Sequence, residues 1–222
     1  RGDFLRDKKT TPSQGRDMPR ICYEVRGEYA LFTNPMTKTG GDLHSYPVPT
    51  CSAVTGLTES IYWKPSIKWK PLRIRVLNPI QYQSRSKLLP VYKTGGKDLA
   101  YYSYLRDVCY QIEVEMAWGS ERYASDRNVA KHYESMLRWL RRGGKLPIHL
   151  GITECYAYVR PCPFGEGEGY YDAVDMDFGV MVHSRDFEKG VIRLAPYRMN
   201  QGVIRFPDQE ACITRKCRAG GD

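Results

Sequence analysis

The sequence predicts an α+β fold, and three observations carry that expectation. Val108, Tyr110, Ile112, Val114 and Met116 hold strict period two, the mark of a strand with one buried face. Val129, Tyr133, Met136, Leu137 and Leu140 recur at helical spacing, and Gly143-Gly144 supplies a stop. The 222 residues are 41% hydrophobic and 12% aromatic, enough for a sizeable core in one large or two small domains. That composition excludes a disordered chain, and no apolar run is long enough to span a membrane. Residues 1–17 carry no element pattern, no initiator methionine and no apolar signal core. They read as a disordered leader or a vector-derived remnant, and the expected location is the cytoplasm.

Taken in order, the first strand is expected over 20–32, with an interruption at Gly27. A Gly-, Pro- and Thr-rich loop follows over 33–49. Thr50 can cap a first helix whose Val54, Leu57 and Ile61 share a face, and Pro65 stops it just past Tyr62. A second strand covers 72–76 and continues to Gln83 after a break at Pro79. Arg73 and Arg75 fall on one face of it. Residues 84–100 read as a long loop holding Gly95-Gly96, and the third strand as 104–118. Ser125 or Asp126 can cap the second helix, where His132 borders the apolar stripe without being at its centre. A fourth strand is expected over 148–159. The order β-α-β-β-α-β is the ferredoxin-like plan, shared with the RNA-recognition motif (RRM-like), though the aromatic signature segments of that motif are missing. This domain is bounded at 18–160. Residues 161–222 hold a Gly-rich loop, Gly165-Glu166-Gly167-Glu168-Gly169, and three β-rich segments over 175–182, 190–194 and 202–206. They are expected to form a small C-terminal antiparallel β-sheet packed on the first domain.

Charge is unevenly placed. The chain carries a net +9, with +2 in residues 1–17, +9 in 18–160 and −2 in 161–222. Residues 60–97 hold nine Lys and Arg and no acid, interleaved with Tyr62, Trp63, Trp69, Tyr82 and Tyr92. Cations neutralise phosphates and aromatic faces stack bases, so the mixture suits RNA that is single-stranded or partly structured. The seven cysteines are scattered and contain no C-x-x-C, which favours buried reduced thiols over a disulfide framework or zinc ribbon.

His132 and Lys131 are the first candidates for chemistry. An imidazole moves protons near neutral pH, and an ammonium holds the negative charge of a crowded phosphate. Neighbours on a helix diverge by about 100°, so the two would reach a phosphate from different sides. Tyr62 can donate a proton or a hydrogen bond, although most of the seventeen tyrosines are expected to pack. The Gly-rich loop is neither a phosphate-binding P-loop nor a dinucleotide fingerprint. Glu166, Glu168, Asp172, Asp175 and Asp177 could be proposed as a magnesium site, but acids alternating along a solvent face are commoner. Neither a metal nor another cofactor is expected.

Several runs are similar to those of a known family: Gly27-Glu28-Tyr29-Ala30-Leu31-Phe32-Thr33, Ser45-Tyr46-Pro47-Val48-Pro49-Thr50, and Glu59-Ser60-Ile61-Tyr62-Trp63-Lys64-Pro65. Asp126-Arg127-Asn128, Lys131-His132, and Phe164-Gly165-Glu166-Gly167-Glu168-Gly169 complete the set. Over about 18–217 the chain resembles the CRISPR-associated Cas proteins of the fifth family, in the subtype I-C form, which are RAMP-type proteins. The resemblance implies a metal-independent endoribonuclease that cuts the CRISPR precursor RNA at the base of each repeat hairpin. It would then keep the 5′ handle of the guide, as a subunit beside the backbone and large subunits of the interference complex. It also implies Tyr62, Lys131 and His132 as catalytic residues, although Tyr133 stands where some relatives carry a second histidine. Trp63, Lys64, Lys68, Arg73, Arg75, Arg127 and Arg138 are the expected RNA contacts, and DNA binding is left open. The rival reading is a subunit that holds the 5′ handle without cutting.

Overall fold

The computed structural model describes residues 18–37, 41–91, 95–186 and 189–216. The expected leader over 1–17, and Tyr92 in the basic run, lie outside them. The fold is mixed α/β: one largely antiparallel sheet carries two α-helices.

The chain opens with β1 (Arg20–Ala30) and a short β2 (Leu43–His44), then enters α1 (Cys51–Ile61). The Thr50 hydroxyl accepts the Ala53 N–H at 3.2 Å, as its side-chain type predicts for a cap. Val54, Leu57, Thr58 and Ile61 turn inward. Tyr62 leaves the helix in extended conformation, its N–H still bonded to the Thr58 carbonyl. Next come β3 (Ile67–Val76), β4 (Gln81–Val91) and β5 (Gly96–Trp118). The even-numbered residues from Val108 to Met116 are buried, as period two requires.

A short 3-10 turn, Glu121–Asp126, separates β5 from α2 (Val129–Arg141). Asn128 caps α2, its Oδ1 accepting the Lys131 N–H at 3.0 Å. Ser125 and Asp126, the expected caps, belong to the turn, and the Asp126 carboxylate is thereby free for other partners. Gly143 and Gly144 take φ of 85° and 109°, and their N–H groups close on the Leu140 and Trp139 carbonyls. Then follow β6 (Ile148–His149), β7 (Tyr156–Pro161), β8 (Met176–Asp186), β9 (Val191–Asn200), β10 (Val203–Arg205) and β11 (Ile213–Lys216).

At the centre the strands run β3-β5-β1-β7, each antiparallel to its neighbour. Both helices pack on one face, where Val114, Met116, Val54, Ile61, Met136 and Leu140 share a core. The other face of these strands carries ion pairs: Arg20 with Glu115, Arg73 with Glu113 and Arg160 with Glu24 across strands, and Arg26 with Glu24 along β1. Gly151 closes the turn between β6 and β7. Its φ is +95°, and a Cβ there would meet the Leu31 carbonyl oxygen at 1.9 Å, so both geometry and space require glycine.

Several expectations are corrected. Residues 84–100 are not a long loop: β4 and β5 form a hairpin paired from Gln81↔Arg106 to Val91↔Gly96. The second strand begins at Ile67, and Pro71 is accommodated where the register shifts between Pro71 and Arg73. The fourth strand is two short strands. The C-terminal strands do not stack as a separate sheet. β10 hydrogen-bonds to β3, with Arg205 opposite Arg73, so one sheet runs across the expected boundary at 160.

Candidate active site

The end of α1 and the start of α2 bring Tyr62, Lys131 and His132 into one hydrogen-bonded group. The Tyr62 hydroxyl lies 2.9 Å from His132 Nδ1. On the far side of the ring, Nε2 is 2.9 Å from the Asp126 carbonyl oxygen and 3.4 Å from Ser66 Oγ. Ser66 donates to the Asp126 carboxylate at 2.6 Å, and Lys131 Nζ donates to the other carboxylate oxygen. Tyr62 is itself anchored, because its carbonyl accepts the Trp69 indole N–H at 2.7 Å. The edge of Trp118 closes the ring's other side.

This geometry settles the histidine's tautomer. A carbonyl can only accept, so Nε2 carries a proton and donates it to Asp126. In the neutral ring Nδ1 is therefore the acceptor, and Tyr62 donates to it. When the ring gains a proton, it gains it at Nδ1, through the Tyr62 hydroxyl. The Asp126 carboxylate stands 3.5 Å from Nε2. Its own pKa is held down to about 2, first by the Lys131 hydrogen bond and then by Ser66. Lys131 is pushed up by the same pairing with Asp126. Burial pushes the Tyr62 phenol up, while Ser135 and the cations Lys131 and Arg138 pull the other way.

His132 is not a border residue of α2, as the helical wheel implied; it is wholly buried. Ser66 and Asp126, which come from outside the helix, supply a polar lining that a wheel cannot show. Tyr62 is 4% exposed, whereas solvent reaches Lys131 and, less, the Asp126 carboxylate. Ser66 and Asp126 were missed as site residues. Asp126 shows in the sequence as a possible helix cap and in the Asp126-Arg127-Asn128 run, neither of which sets it beside His132, and Ser66 carries no signal.

The expected RNA contacts divide. Trp63, Lys64 and Lys68 are exposed next to the group, and Arg138 is exposed on α2. Arg127 is partly buried against Trp118 and bonds the Gly119 carbonyl and Glu121. Arg73 is held by Glu113 at 2.6 Å and lies over the Phe164 ring. Arg75 is a correction. It is buried, and it bonds Asp172 twice, Gln111 and the carbonyls of Glu166 and Gly167. Its guanidinium is consumed inside the protein and holds the Gly-rich loop to the sheet. The acid-free run is likewise less bare than its composition implies, since Lys70 and Lys87 pair with Asp208 and Glu154 from elsewhere in the chain. Of the downstream acids, Asp172 serves Arg75 and Asp177 serves Arg198. Among the described residues, no group of three or more His, Cys, Asp or Glu stands together as metal ligands.

Comparison with known proteins places the chain in a family. The family described as CRISPR-associated protein (Cas_Cas5) matches residues 20–207. A "CRISPR pre-crRNA endoribonuclease Cas5d" of Thermus thermophilus is 32% identical over 179 residues, covering 77% of this chain and 75% of the relative. A protein of the same description from Mannheimia succiniciproducens is 28% identical over 221 residues, covering 85% and 95%. A crystal structure described as a CRISPR-associated protein superposes with a TM-score of 0.76 at 32% identity, over 91% of this chain and 100% of that one. The chain belongs to the Cas5 family of CRISPR-associated proteins, and both named relatives carry the Cas5d description.

Proposed function

We propose that this protein is a pre-crRNA endoribonuclease of the subtype I-C form. It cuts the CRISPR repeat RNA at the base of its hairpin and stays on the 5′ handle as a subunit of the interference complex. One observation carries the reading: in a chain of this family, Tyr62, His132, Asp126 and Lys131 form one continuous hydrogen-bonded group with an exposed ammonium at its edge.

The group supplies what ribose-directed cleavage needs. The 2′-oxygen attacks the adjacent phosphorus as its proton passes to the Tyr62 oxygen and the phenol's own proton passes to His132 Nδ1. The P–O5′ bond breaks, and the departing oxygen takes a proton from water. Lys131 balances the charge on the non-bridging oxygens at the transition state. The imidazolium returns its proton to solvent. The products are a 2′,3′-cyclic phosphate and a 5′-hydroxyl. No step calls for a metal ion. Because Tyr62 and His132 are buried, the substrate has to reorder the side chains over them before the 2′-hydroxyl reaches the phenol.

The strand order β3-β5-β1-β7, with helical crossovers after β1 and β5, supports a ferredoxin-like core for this catalytic unit. The test is incubation with the protein's own repeat RNA in EDTA, with the product ends identified. Cleavage to the ends above, lost in His132→Ala while binding remains, is expected. A wild type that binds the repeat and never cuts it supports the rival, a handle-holding subunit.

A further inference from the structure

A second basic feature lies away from the catalytic group, on the sheet face opposite the helices. Arg73 on β3 is directly opposite Arg205 on β10. Continuing the β10–β9 register, in which Ile204 faces Met199, brings Arg198 level with Arg205 on the other side. Three arginines therefore form one row across three hydrogen-bonded strands, spanning about 10 Å. Like charges placed directly opposite destabilise a sheet. The row is balanced only at its ends, where Glu113 of β5 pairs with Arg73 and Asp177 of β8 pairs with Arg198. Arg205, at the centre, has no hydrogen-bond or ion-pair partner among the described residues.

The row is not flat against solvent. It lines a cleft of about 500 Å³, to which Asn200, Gln201 and Phe206 also contribute. The side-chain amides add neutral donors and acceptors, and the ring adds an apolar wall. Guanidinium groups matched to a tetrahedral anion, beside amides and an aromatic edge, are the chemistry that takes a nucleotide's phosphate and sugar.

We propose that this cleft binds backbone phosphates of a single-stranded RNA segment, with Arg205 as the central contact and Arg73 and Arg198 flanking it. The proposal rests on the RNA-processing reading for the identity of the strand. Arg73 is about 20 Å along β3 from Ser66 in the catalytic group. Lys68 lies between them on the same sheet face as Arg73, so the cleft is placed to hold RNA beyond the cut rather than at it. It also gives the slightly acidic C-terminal segment a defined part in binding.

The test compares wild type with Arg205→Ala for binding of a labelled short single-stranded RNA across a salt series. Loss of one phosphate contact should weaken binding about tenfold at low salt and reduce the slope of log K against log salt by about 0.7. Arg205→Lys should restore the slope. Arg205→Ala should melt no lower than wild type, because it relieves the row's repulsion. Equal affinity and slope in wild type and Arg205→Ala overturn the proposal. So does a loss seen for inorganic pyrophosphate or matching DNA but not for RNA. Binding needs no cut strand, so a failed cleavage assay would leave this result standing, and an intact cleavage assay would not rescue it.

Discussion

Arg75→Met separates two roles for one arginine. An RNA contact would be lost with little change in stability, whereas the internal strut described above would be lost at a large cost. The structure predicts the second. Substitution removes hydrogen bonds of 3.0 and 2.6 Å to Asp172, 2.9 Å to the Gly167 carbonyl, and 3.3 Å to Gln111 and the Glu166 carbonyl. Breaking a buried pair by removing one partner costs about 3–5 kcal/mol. The Asp172 side chain is 41% exposed and regains water, which lowers the figure to about 3 kcal/mol. For a chain of this size that is a fall in Tm of about 6–12 °C. The loop 163–169 should loosen with it, because Gln111, which accepts the Gly165 N–H, loses its neighbour. The assay is thermal melting together with amide exchange at Gly165, followed by RNA binding at a temperature where the variant is folded. An unchanged Tm with protected Gly165 and a tenfold loss of RNA affinity would refute the reasoning.

Two further outcomes follow from the site itself. Tyr62→Phe leaves His132 Nδ1 buried without its donor, which costs about 1–3 kcal/mol of stability. It should also slow single-turnover cleavage by about 10²–10⁴ while leaving RNA affinity intact, as read by gel analysis of bound and cut substrate. The carboxylates of Asp126 and Asp172 are both held below their unfolded pKa of about 3.9. Their contribution is therefore complete above that pH and is lost as pH falls through the folded values, down to about 2 for Asp126. Urea midpoints measured against pH should drop below about pH 4, and Asp126→Asn should flatten part of that drop.

Local signals were readable and long-range ones were not. The Thr50 cap, the inward face of α1, the period-two core of β5 and the glycine stop of α2 depend on neighbours in sequence, and each was legible. The β4–β5 hairpin was not. Its strands carry polar and charged residues on both faces, so there is no alternation to read, and Gly95-Gly96 alone does not distinguish a hairpin turn from a long loop. The candidate catalytic residues stand in sequence motifs, yet the burial of His132 is hidden there. It depends on Ser66 and Asp126 arriving from two other segments. Arg75 is hidden for the same reason: apart from Gln111, its acceptors lie more than ninety residues downstream, in the Gly-rich loop and Asp172. Period two puts Arg73 and Arg75 on one face, as the structure has them, but the Gly-rich loop and Asp172, which cover Arg75, decide which of them meets solvent.

The central claim is that the RNA's own 2′-hydroxyl is the nucleophile, driven by the Tyr62–His132 pair. The most direct measurement uses repeat RNA carrying a single 2′-deoxy nucleotide immediately 5′ of the scissile phosphate, in EDTA. The protein should bind this substrate as it binds the all-ribose strand and leave it whole, while the all-ribose strand is cut. Cleavage of the deoxy substrate at the same bond would contradict the account, because the attacking oxygen would then have come from elsewhere.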